Sequence, residues 1–314
     1  MEPKLLLEDI SKLLHQSKRK LKKQIKEKSS YHTCGGKLYL THEDSASFLD
    51  FLNFKGQVVA FHLIKGGVGK TTLTQSIATR VSLYGAKVLC IDLDQQSNLS
   101  QAFGKHHENA PNMLDIITKN ISINDAIINV CPGIDLIKSS LTNAKLDQAI
   151  LANFHQMDLL FSDLIAPIKS SYDFIFFDCP PTLGASVQSA LLASDTVILP
   201  INPDLFSIEG LKICVDEIEK LSEAYNKTIS PKILINKFDN RTILSHEISQ
   251  FLFESDYFQD LVFPTIVHNN QDFANKLSRG VSIYDSPSQK KSAKEIDDIV
   301  INLMELRLCQ TKNK

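Results

Sequence analysis

The clearest chemical signal in this sequence is a phosphate-binding pattern in the eight residues from Lys65 to Thr72, KGGVGKTT. The pattern follows an apolar run, Gln57 to Leu63, that predicts a buried strand, and it precedes a helical pattern from Thr72 to Tyr84. A glycine-rich turn between a strand and a helix lets backbone N–H groups and the helix N-terminus surround an anion. Lys70 is placed to neutralise β- and γ-phosphate oxygens, and the Thr71 hydroxyl is placed to bind Mg²⁺.

The loop departs from the ordinary pattern G-x-x-x-x-G-K-[ST], because the first glycine of that pattern would fall on Ile64. A second lysine, Lys65, begins the loop instead. KGGVGKTT resembles the deviant phosphate loop of the ParA/MinD family of ATPases, in which the lysine matched by Lys65 is the signature residue. The resemblance implies that ATP and Mg²⁺ are the cofactors. The loop residues that it assigns to nucleotide binding are Lys65, Gly66, Gly67, Val68, Gly69, Lys70, Thr71 and Thr72.

The bulk composition is that of an ordinary globular chain. Its 314 residues, 43% hydrophobic and 22% charged, suffice for one large α/β domain plus an accessory segment. No apolar run approaches the ~20 residues that span a bilayer, and no secretory signal is visible. The six cysteines are scattered without a C-x-x-C pair, which argues against a zinc site or a disulfide framework and favours the cytoplasm. With a net charge of −2, any contact with DNA must come from a local basic patch.

Residues 1–55 are predicted to form an N-terminal basic helical extension and a linker. Apolar residues recur at helical spacing within residues 1–30 with lysines and an arginine between them, which predicts a basic amphipathic helix. Three interpretations are open: a helix docked on the ATPase core or on a dimer partner, a contact with the DNA backbone, and a membrane-surface helix. The absence of Trp and Phe from the helix argues against the third. The linker is predicted to hold a turn at Cys34-Gly-Gly and a helix from Glu43 to Leu52.

From residue 57 onwards strand and helix patterns alternate, which predicts an α/β fold: a doubly wound, mostly parallel sheet, as in P-loop NTPases, over residues 56–314. We expect Gly210 to interrupt one helix and a long helix to close the chain from Ser288 to about Leu308. The predicted strands are Val58–Leu63, Lys87–Asp92, Ile134–Ile137, Phe174–Asp178, Thr196–Ile201, Lys232–Asn236 and Leu261–Thr265.

Ligands of open parallel sheets bind beyond the carboxyl ends of the strands, and two predicted strands end there in aspartate. Residues 88–100, VLCIDLDQQSNLS, resemble the family segment D-x-D-P-Q-x-N, with Gln95 in place of the usual proline. The resemblance assigns Asp94 to orienting the attacking water. Residues 172–184, YDFIFFDCPPTLG, resemble the family's Walker B and switch II segments, so that Asp178 holds a magnesium-bound water and the two prolines form a turn that senses the γ-phosphate.

A third strand end carries an amide, in KILINKFDNRT at residues 232–242. Asn236 is predicted to read the edge of the adenine base, and the alternative is that it only caps the strand. Before it, PINPDLFSIEGLK at residues 200–212 resembles a family segment that usually lies at the dimer face.

The resemblance implies a mechanism in which Lys70 serves the phosphates of its own subunit and Lys65 reaches the nucleotide of a partner subunit. The catalytic residues are then Lys65, Lys70 and Asp94, and the metal is held by Thr71 and, through water, by Asp178. ATP would join two subunits into a homodimer, and slow hydrolysis, stimulated by a partner, would release them. Phosphoryl transfer of this kind depends on positioning and charge neutralisation.

Two further segments resemble the ParA/Soj branch: FDNRTILSHEI at 238–248 and VSIYDSPSQKKSAKE at 281–295. This match makes Arg241 a candidate contact to DNA, with Lys276 and Arg279 nearby. His268 and Gln271 stand where partition ATPases often have arginines, so the basic N-terminal helix is an alternative DNA site.

The function implied by this resemblance is partition of a plasmid or chromosome, with a ParB-like partner and non-specific DNA, in a cytoplasmic, nucleoid-associated protein. The alternative is a nucleotide switch of the same family that positions another machine, such as the division site, flagella or a secretion apparatus.

Overall fold

The fold is a mostly parallel seven-stranded sheet with helices on both faces, which confirms the predicted class. The computed structural model describes residues 3–52, 54, 56–104, 109–153, 159–277, 279–285 and 291–310. The strands are β1 Leu5–Leu6, β2 His32–Cys34, β3 Lys37–Leu40, β4 Gln57–Phe61, β5 Val88–Asp92, β6 Ile127–Cys131, β7 Ile134–Ile137, β8 Phe174–Asp178, β9 Thr196–Ile201 and β10 Ser230–Ile235.

Helices cover both faces of the sheet and also form part of the N-terminal extension. They are α1 Leu7–Leu13, α2 Lys18–Lys28, α3 His42–Phe48, α4 Lys70–Leu83, α5 Asn98–Ala102, α6 Met113–Lys119, α7 Ile123–Ala126, α8 Leu146–Asn153, α9 Leu160–Ile165, α10 Ala185–Ala193, α11 Leu205–Ala224, α12 Ile243–Glu254, α13 Gln271–Leu277 and α14 Lys291–Gln310. Short 3-10 helices lie at Asp50–Leu52, Leu141–Lys145, Lys169–Ser171 and Gln259–Leu261.

The strand order of the large sheet is β10-β9-β4-β8-β5-β7-β6, and only β6 runs antiparallel to its neighbour. The register pairs Phe61 at the end of β4 with Asp178 at the end of β8, and pairs Asp178 in turn with Asp92 at the end of β5. Because parallel strands end at the same edge, the loop after β4 and both aspartates come together there.

Alternate residues of each central strand pack into two different hydrophobic clusters, one on each face. Val58 and Ala60 of β4 face a cluster that includes residues of α10, α11 and α12. Val59 and Phe61 face a second cluster formed with α4, α14 and the N-terminal extension. Burial on both faces explains why these strands read as continuous apolar runs.

Two predictions about individual elements were wrong, and one strand was not predicted. Leu261–Thr265 is not a strand: its first residue ends a 3-10 helix, and Val262 makes an isolated bridge to Ile233. The edge strand β6 was not predicted, since it is only partly buried and lacks a strong apolar signal. Gly210 does not interrupt α11, which is continuous from Leu205 to Ala224. A Cβ atom at Gly210 would lie 3.3 Å from the Ile64 side chain, so this glycine allows close packing.

The first 30 residues of the extension are helical, as predicted, but they contain two helices, α1 and α2, rather than one. The helical conformation is interrupted between α1 and α2, where His15 adopts a left-handed backbone conformation. The extension also contains a three-stranded antiparallel sheet, β1-β3-β2, whose hairpin turns at Gly35 and Gly36 as predicted. Leu21 and Ile25 of α2 are fully buried in the second hydrophobic cluster. The structure thus agrees with the interpretation of a helix docked on the ATPase core.

A buried ion network joins the extension to the nucleotide-binding domain. Arg80 of α4 is fully buried, and its guanidinium lies 3.3 Å from a carboxylate oxygen of Asp9 in α1 and 2.8 Å from one of Asp297 in α14. The same group lies over the rings of Tyr84 and Tyr284, at 4.7 and 4.9 Å from their centroids. A buried charge is tolerated only when it is paired, so α1, α4 and α14 are coupled energetically through this one residue.

We expect the charge state of Asp297 to make folding pH-dependent. Burial, partly opposed by Arg80, raises the pKa of Asp297 to about 6. A carboxyl with a raised pKa binds more protons in the folded state, so its contribution to stability is present at about pH 4 and is lost as the pH rises through 6. Relative to Asp297→Asn, the wild-type free energy of unfolding should fall by about 2–3 kcal/mol between about pH 4 and pH 7.

Urea unfolding followed by circular dichroism at several pH values would measure this difference. The exposed neighbour Asp298 offers a matched control, and Asp298→Asn should leave the pH dependence unchanged. Parallel pH profiles for the wild type and Asp297→Asn would contradict the assignment.

Candidate nucleotide site

The loop between β4 and α4 has the backbone of an anion cradle. Gly67 and Gly69 have positive φ angles of 74° and 96°, and Gly69 is the N-cap of α4. A Cβ atom at Gly69 would collide with the amide nitrogen of Asn236, so both space and conformation require glycine there. Cβ atoms at Gly66 and Gly67 would meet nothing within 4 Å, so the loop borders open space at the N-terminus of a helix.

Lys70 is the first residue of α4, and its side chain is buried behind this loop. Its ammonium donates hydrogen bonds to the carbonyl oxygens of Leu63 and Lys65, both at 3.1 Å. Burial lowers the pKa of Lys70, and the neighbouring Asp178 partly opposes this shift. In the described part of the chain its hydrogen-bond acceptors are carbonyls, not carboxylates, so the ammonium keeps its capacity to neutralise an anion. This arrangement fits a phosphate group.

The acidic side of the site is formed by Asp178, at the end of β8. Its carboxylate accepts a hydrogen bond from the Thr71 hydroxyl at 2.7 Å. Burial raises the pKa of Asp178 well above its usual range, the neighbouring Asp92 raises it further, and Thr71 and Lys70 oppose the shift. A cation beside Asp178 would favour its ionised form, and hydroxyl and carboxylate oxygens are the ligands that Mg²⁺ prefers. Thr71 would hold the ion directly, and Asp178 would hold it through water.

Asp92, which precedes the predicted catalytic aspartate, is fully buried and organises the segment after β5. Its carboxylate accepts hydrogen bonds from the Ser100 N–H at 2.9 Å, the Ser100 hydroxyl at 2.7 Å and the Asp94 N–H at 3.2 Å. Burial raises the pKa of Asp92 to about 7. Asp94 is half-buried, and its own carboxylate accepts the Gln96 N–H at 2.9 Å. Asp92 thus orients the backbone that carries Asp94.

A cavity of about 800 Å³ lies beside the loop and is large enough for a nucleotide. Of the residues predicted for the site, those that line it are Gly66, Gly67, Gly69, Lys70, Thr71, Thr72, Asp94 and Asn236. Val68 is buried beneath the loop, and Asp178 is reached through Thr71. Pro181, the second proline after Asp178, also lines the cavity, as expected for a turn near the terminal phosphate.

Asn236 has a second role that the sequence did not indicate. It is buried, and its amide nitrogen donates a hydrogen bond of 2.7 Å to the carbonyl oxygen of Val68. The next residue, Lys237, donates to the Gly67 carbonyl at 2.6 Å. Hydrogen bonds from the end of β10 therefore fix the backbone of the phosphate loop, and the same strand end also faces the cavity.

The sequence did not predict which residues form the far wall of the cavity. It is formed by His268, Asn269, Asn270, Gln271 and Phe273, and the opposite side includes Asn98 and Gln101. Two of these wall residues, His268 and Gln271, occupy positions where partition ATPases often have arginines. His268 bridges to Phe238 across the sheet edge, and its ring nitrogen Nδ1 lies 2.8 Å from the Glu295 carboxylate. The signal in the sequence was the alignment of His268 and Gln271 with arginines of partition ATPases, but it pointed to DNA and not to the nucleotide.

Lys65 points away from the cavity that the rest of the loop lines. Its ammonium donates to a carboxylate oxygen of Asp204 at 2.6 Å and to the Ser207 hydroxyl at 3.2 Å. Burial alone would raise the pKa of Asp204, but hydrogen bonds from Lys65 and Ser207 lower it. Asp204 also caps α11, within the segment predicted for the dimer face.

The three candidate DNA contacts lie outside the nucleotide cavity. Arg241 is 86% exposed, but two of its nitrogens donate to the Asp239 carboxylate, at 2.9 and 2.7 Å. The Lys276 ammonium donates to the carbonyl oxygens of Ser282 and Ile283. Arg279 is exposed. Two of the three cations are therefore already engaged within the chain.

The fold and the loop define a P-loop nucleoside triphosphatase. A family model described as an AAA domain matches residues 56–231. The chromosome-partitioning ATPase Soj of Treponema pallidum is 30% identical to this chain over 253 residues, which cover 77% of this chain and 97% of Soj. The chain belongs to the ParA/Soj family of deviant Walker A ATPases, as the resemblance of its loop implied.

Two further similarities widen the comparison. The cell division protein PomZ of Myxococcus xanthus is 27% identical over 257 residues, covering 81% of this chain and 76% of PomZ. A crystal structure of a putative plasmid partition protein from Borrelia burgdorferi, bound to AMPPNP, superposes with a TM-score of 0.66 at 25% identity and covers 81% of this chain and 99% of that protein. Among the described residues of this chain, every helix is too short or too polar to span a bilayer, in agreement with the sequence.

We expect Lys70→Ala to abolish ATP binding without unfolding the protein. Each charge-assisted hydrogen bond to phosphate is worth about 1.5–3 kcal/mol, so the loss of two should weaken binding by at least about a hundredfold. Isothermal titration calorimetry with ATP and Mg²⁺ would measure the affinity, and a thermal melt would report on the fold. Lys220→Ala, which removes an exposed lysine of α11, is the matched control and should bind as the wild type does. Wild-type affinity in a folded Lys70→Ala protein would refute the site.

Proposed function

We propose that this protein is an ATP-dependent dimerising ATPase that acts in DNA partition with a ParB-like partner and non-specific DNA. The predicted cofactors, ATP and Mg²⁺, are confirmed by its membership of the family and agree with the AMPPNP in the Borrelia burgdorferi structure. The observation that carries the proposal is that the two lysines of the loop, Lys65 and Lys70, lie in different places. Lys70 faces the cavity of its own subunit, whereas Lys65 lies outside it, on Asp204.

The chemistry requires few groups from the chain. Bound Mg²⁺ neutralises charge on phosphate oxygens. Lys70 and the loop N–H groups bind the phosphates, and Thr71 and Asp178 hold the ion. Asp94 lies at the cavity wall, where its carboxylate can orient a water, as the resemblance implies. We infer that hydrolysis is slow and is stimulated by a partner, as the resemblance to the family implies.

The surface around Lys65 supports self-association. Next to Asp204, at the start of α11, Leu205 is 67% exposed and Phe206 is 79% exposed. The Phe206 ring centroid lies 5.8 Å from the Lys65 ammonium. Large apolar side chains left in water beside a functional cation mark an interaction surface. In an ATP-bound dimer, Lys65 would leave Asp204 and reach the partner's nucleotide, while the apolar pair would be covered.

Partition is the favoured role because Soj of Treponema pallidum and the Borrelia burgdorferi protein are named for it. The similarity to PomZ favours one alternative, in which the same nucleotide switch positions the division site. ATPase assays distinguish the two. Stimulation by duplex DNA together with a ParB-like protein supports partition, and a rate unaffected by both supports the alternative.

We predict opposite effects on dimerisation for two catalytic substitutions. Asp94→Ala should bind ATP without hydrolysing it and should accumulate as a dimer. Lys65→Ala should remain monomeric with ATP, because the cation that crosses to the partner is lost. Light scattering coupled to size-exclusion chromatography, with and without ATP, measures both, and Lys220→Ala serves as the control. If Lys65→Ala and Asp94→Ala were both monomeric with ATP, the crossing lysine would be wrong.

A further inference from the structure

We propose that the α2 groove of the N-terminal extension binds the phosphate backbone of duplex DNA. We define the α2 groove as the cleft of about 360 Å³ between α2 and the hairpin β2–β3. The choice of DNA as the polyanion rests on the proposed partition function, whereas the groove itself follows from the structure. Its lining includes Lys18, Lys22, Lys26, Lys37 and Tyr31.

The charge of the groove is local and dense. Seven of the eleven residues of α2, KRKLKKQIKEK, are lysine or arginine, and one is acidic. Lys18, Lys22 and Lys26 recur every fourth residue, so they form one row along the helix that faces the groove. All seven basic side chains are exposed. In a chain with a net charge of −2, this concentration of cations is a specific electrostatic feature.

Few of these cations are neutralised within the described part of the chain. Lys18 pairs with Glu8 at 2.8 Å, and Lys23 lies 3.9 Å from Glu27, which is an exposed and weak pair. Arg19, Lys22 and Lys26 have no carboxylate within 4.0 Å among the described residues. A linear polyanion such as nucleic acid would supply the missing counter-charges.

An aromatic side chain lies among these cations. Tyr31 is 39% exposed, lines the groove, and has the Lys26 ammonium 5.9 Å from its ring centroid. The adjacent strands carry a stacked pair, His32 and Tyr39, with ring centroids 5.4 Å apart. A phenol beside ammonium groups can contact sugar and phosphate while the lysines pair with the charges.

The structure favours nucleic acid over a membrane surface. A helix that binds at a bilayer surface must present a free apolar face to the lipid. The apolar face of α2, formed by Leu21 and Ile25, is fully buried against the body of the protein. The face of α2 that remains exposed carries charged side chains and no apolar one.

The α2 groove also suits DNA better than the positions inferred from the family resemblance. Arg241 is held by Asp239, and Lys276 is bound to two carbonyls. In contrast, the groove is carried by a segment fixed to α4 and α14 through Asp9 and Arg80. An ATP-bound dimer would carry two such grooves, and engagement of both by one duplex would raise the affinity by avidity.

The test replaces charge and leaves the fold intact. The groove variant is Lys18→Gln, Lys22→Gln, Lys26→Gln, three lysines that line the groove, and the matched control is Lys119→Gln, Lys145→Gln, Lys220→Gln, three exposed lysines elsewhere. Glutamine keeps a helix propensity close to that of lysine. Deleting residues 1–30 is a poor test, because it would uncover the apolar core and leave Arg80 short of a carboxylate.

Fluorescence anisotropy with a random duplex, in AMPPNP and Mg²⁺, measures affinity from about 50 to 200 mM salt. Since each phosphate contact contributes about −0.9 to the log–log salt slope, the groove variant should lose two to three units of slope and at least about tenfold in affinity. The control and an Arg241→Gln variant should bind as the wild type does, and all variants should keep wild-type nucleotide affinity.

Wild-type DNA affinity in the groove variant would overturn the proposal, and so would a loss of affinity confined to Arg241→Gln. A wild-type protein that binds and hydrolyses ATP but binds no DNA would remove both this proposal and the DNA part of the proposed function. Binding of the wild type to phosphatidylglycerol vesicles but not to DNA would overturn it in favour of a membrane. If the groove variant melted early, the single change Lys22→Glu would repeat the test, with a loss of slope of at least about one expected.

Discussion

A fully buried guanidinium, that of Arg80, is stable in this fold only because two carboxylates reach it from opposite ends of the chain. Asp9 comes from the N-terminal extension and Asp297 from the last helix, and both meet the helix that begins at Lys70. Breaking a buried pair of this kind costs about 3–5 kcal/mol, because the remaining charge stays buried. The position of the phosphate-loop helix therefore depends on both termini. This makes the extension part of the nucleotide-binding body and not an independent arm.

The nucleotide site also buries ionisable groups, but among the described residues its acids and its lysine form no direct ion pair. Asp92 and Asp178 lie side by side on neighbouring strands, and burial raises the pKa of each. Lys70 is desolvated on the opposite side. A cation beside the two aspartates and an anion beside Lys70 would stabilise the charged forms of these side chains. Magnesium-bound ATP supplies both, since Mg²⁺ is the cation and the phosphates are the anion.

Two exposed surfaces of the chain stand out by their chemistry. The chain is nearly neutral, yet α2 carries seven cations, and the start of α11 exposes two large apolar side chains beside Lys65. These surfaces differ in chemistry. The basic face of α2 suits a polyanion, and the apolar start of α11 suits another apolar surface, such as that of a second copy of the chain. The buried residues of α11 join one hydrophobic cluster and those of α2 join the other, so the two surfaces are carried by different parts of the core.

The sequence by itself determined the chemistry of the loop and the class of the fold. The KGGVGKTT pattern could be read from residue types and their spacing, whereas Asp94 and Asp178 were identified at the ends of two apolar strands with the help of the family resemblance. Six of the seven strands of the large sheet could be predicted, because the buried residues of each form an apolar run. The edge strand β6 and the three-stranded sheet of the N-terminal extension could not be predicted, because short and partly exposed strands have a weak hydrophobic pattern.

Only the tertiary structure decided which distant residues meet. The buried Asp9–Arg80–Asp297 network, the Lys65–Asp204 pair and the cavity wall at His268 join segments more than 60 residues apart in sequence. No local pattern encodes such contacts, because their partners are set by the strand order and by how helices pack. The same packing turned one predicted amphipathic helix into two and buried the apolar face of α2. It thereby left only the basic face of that helix exposed to a partner.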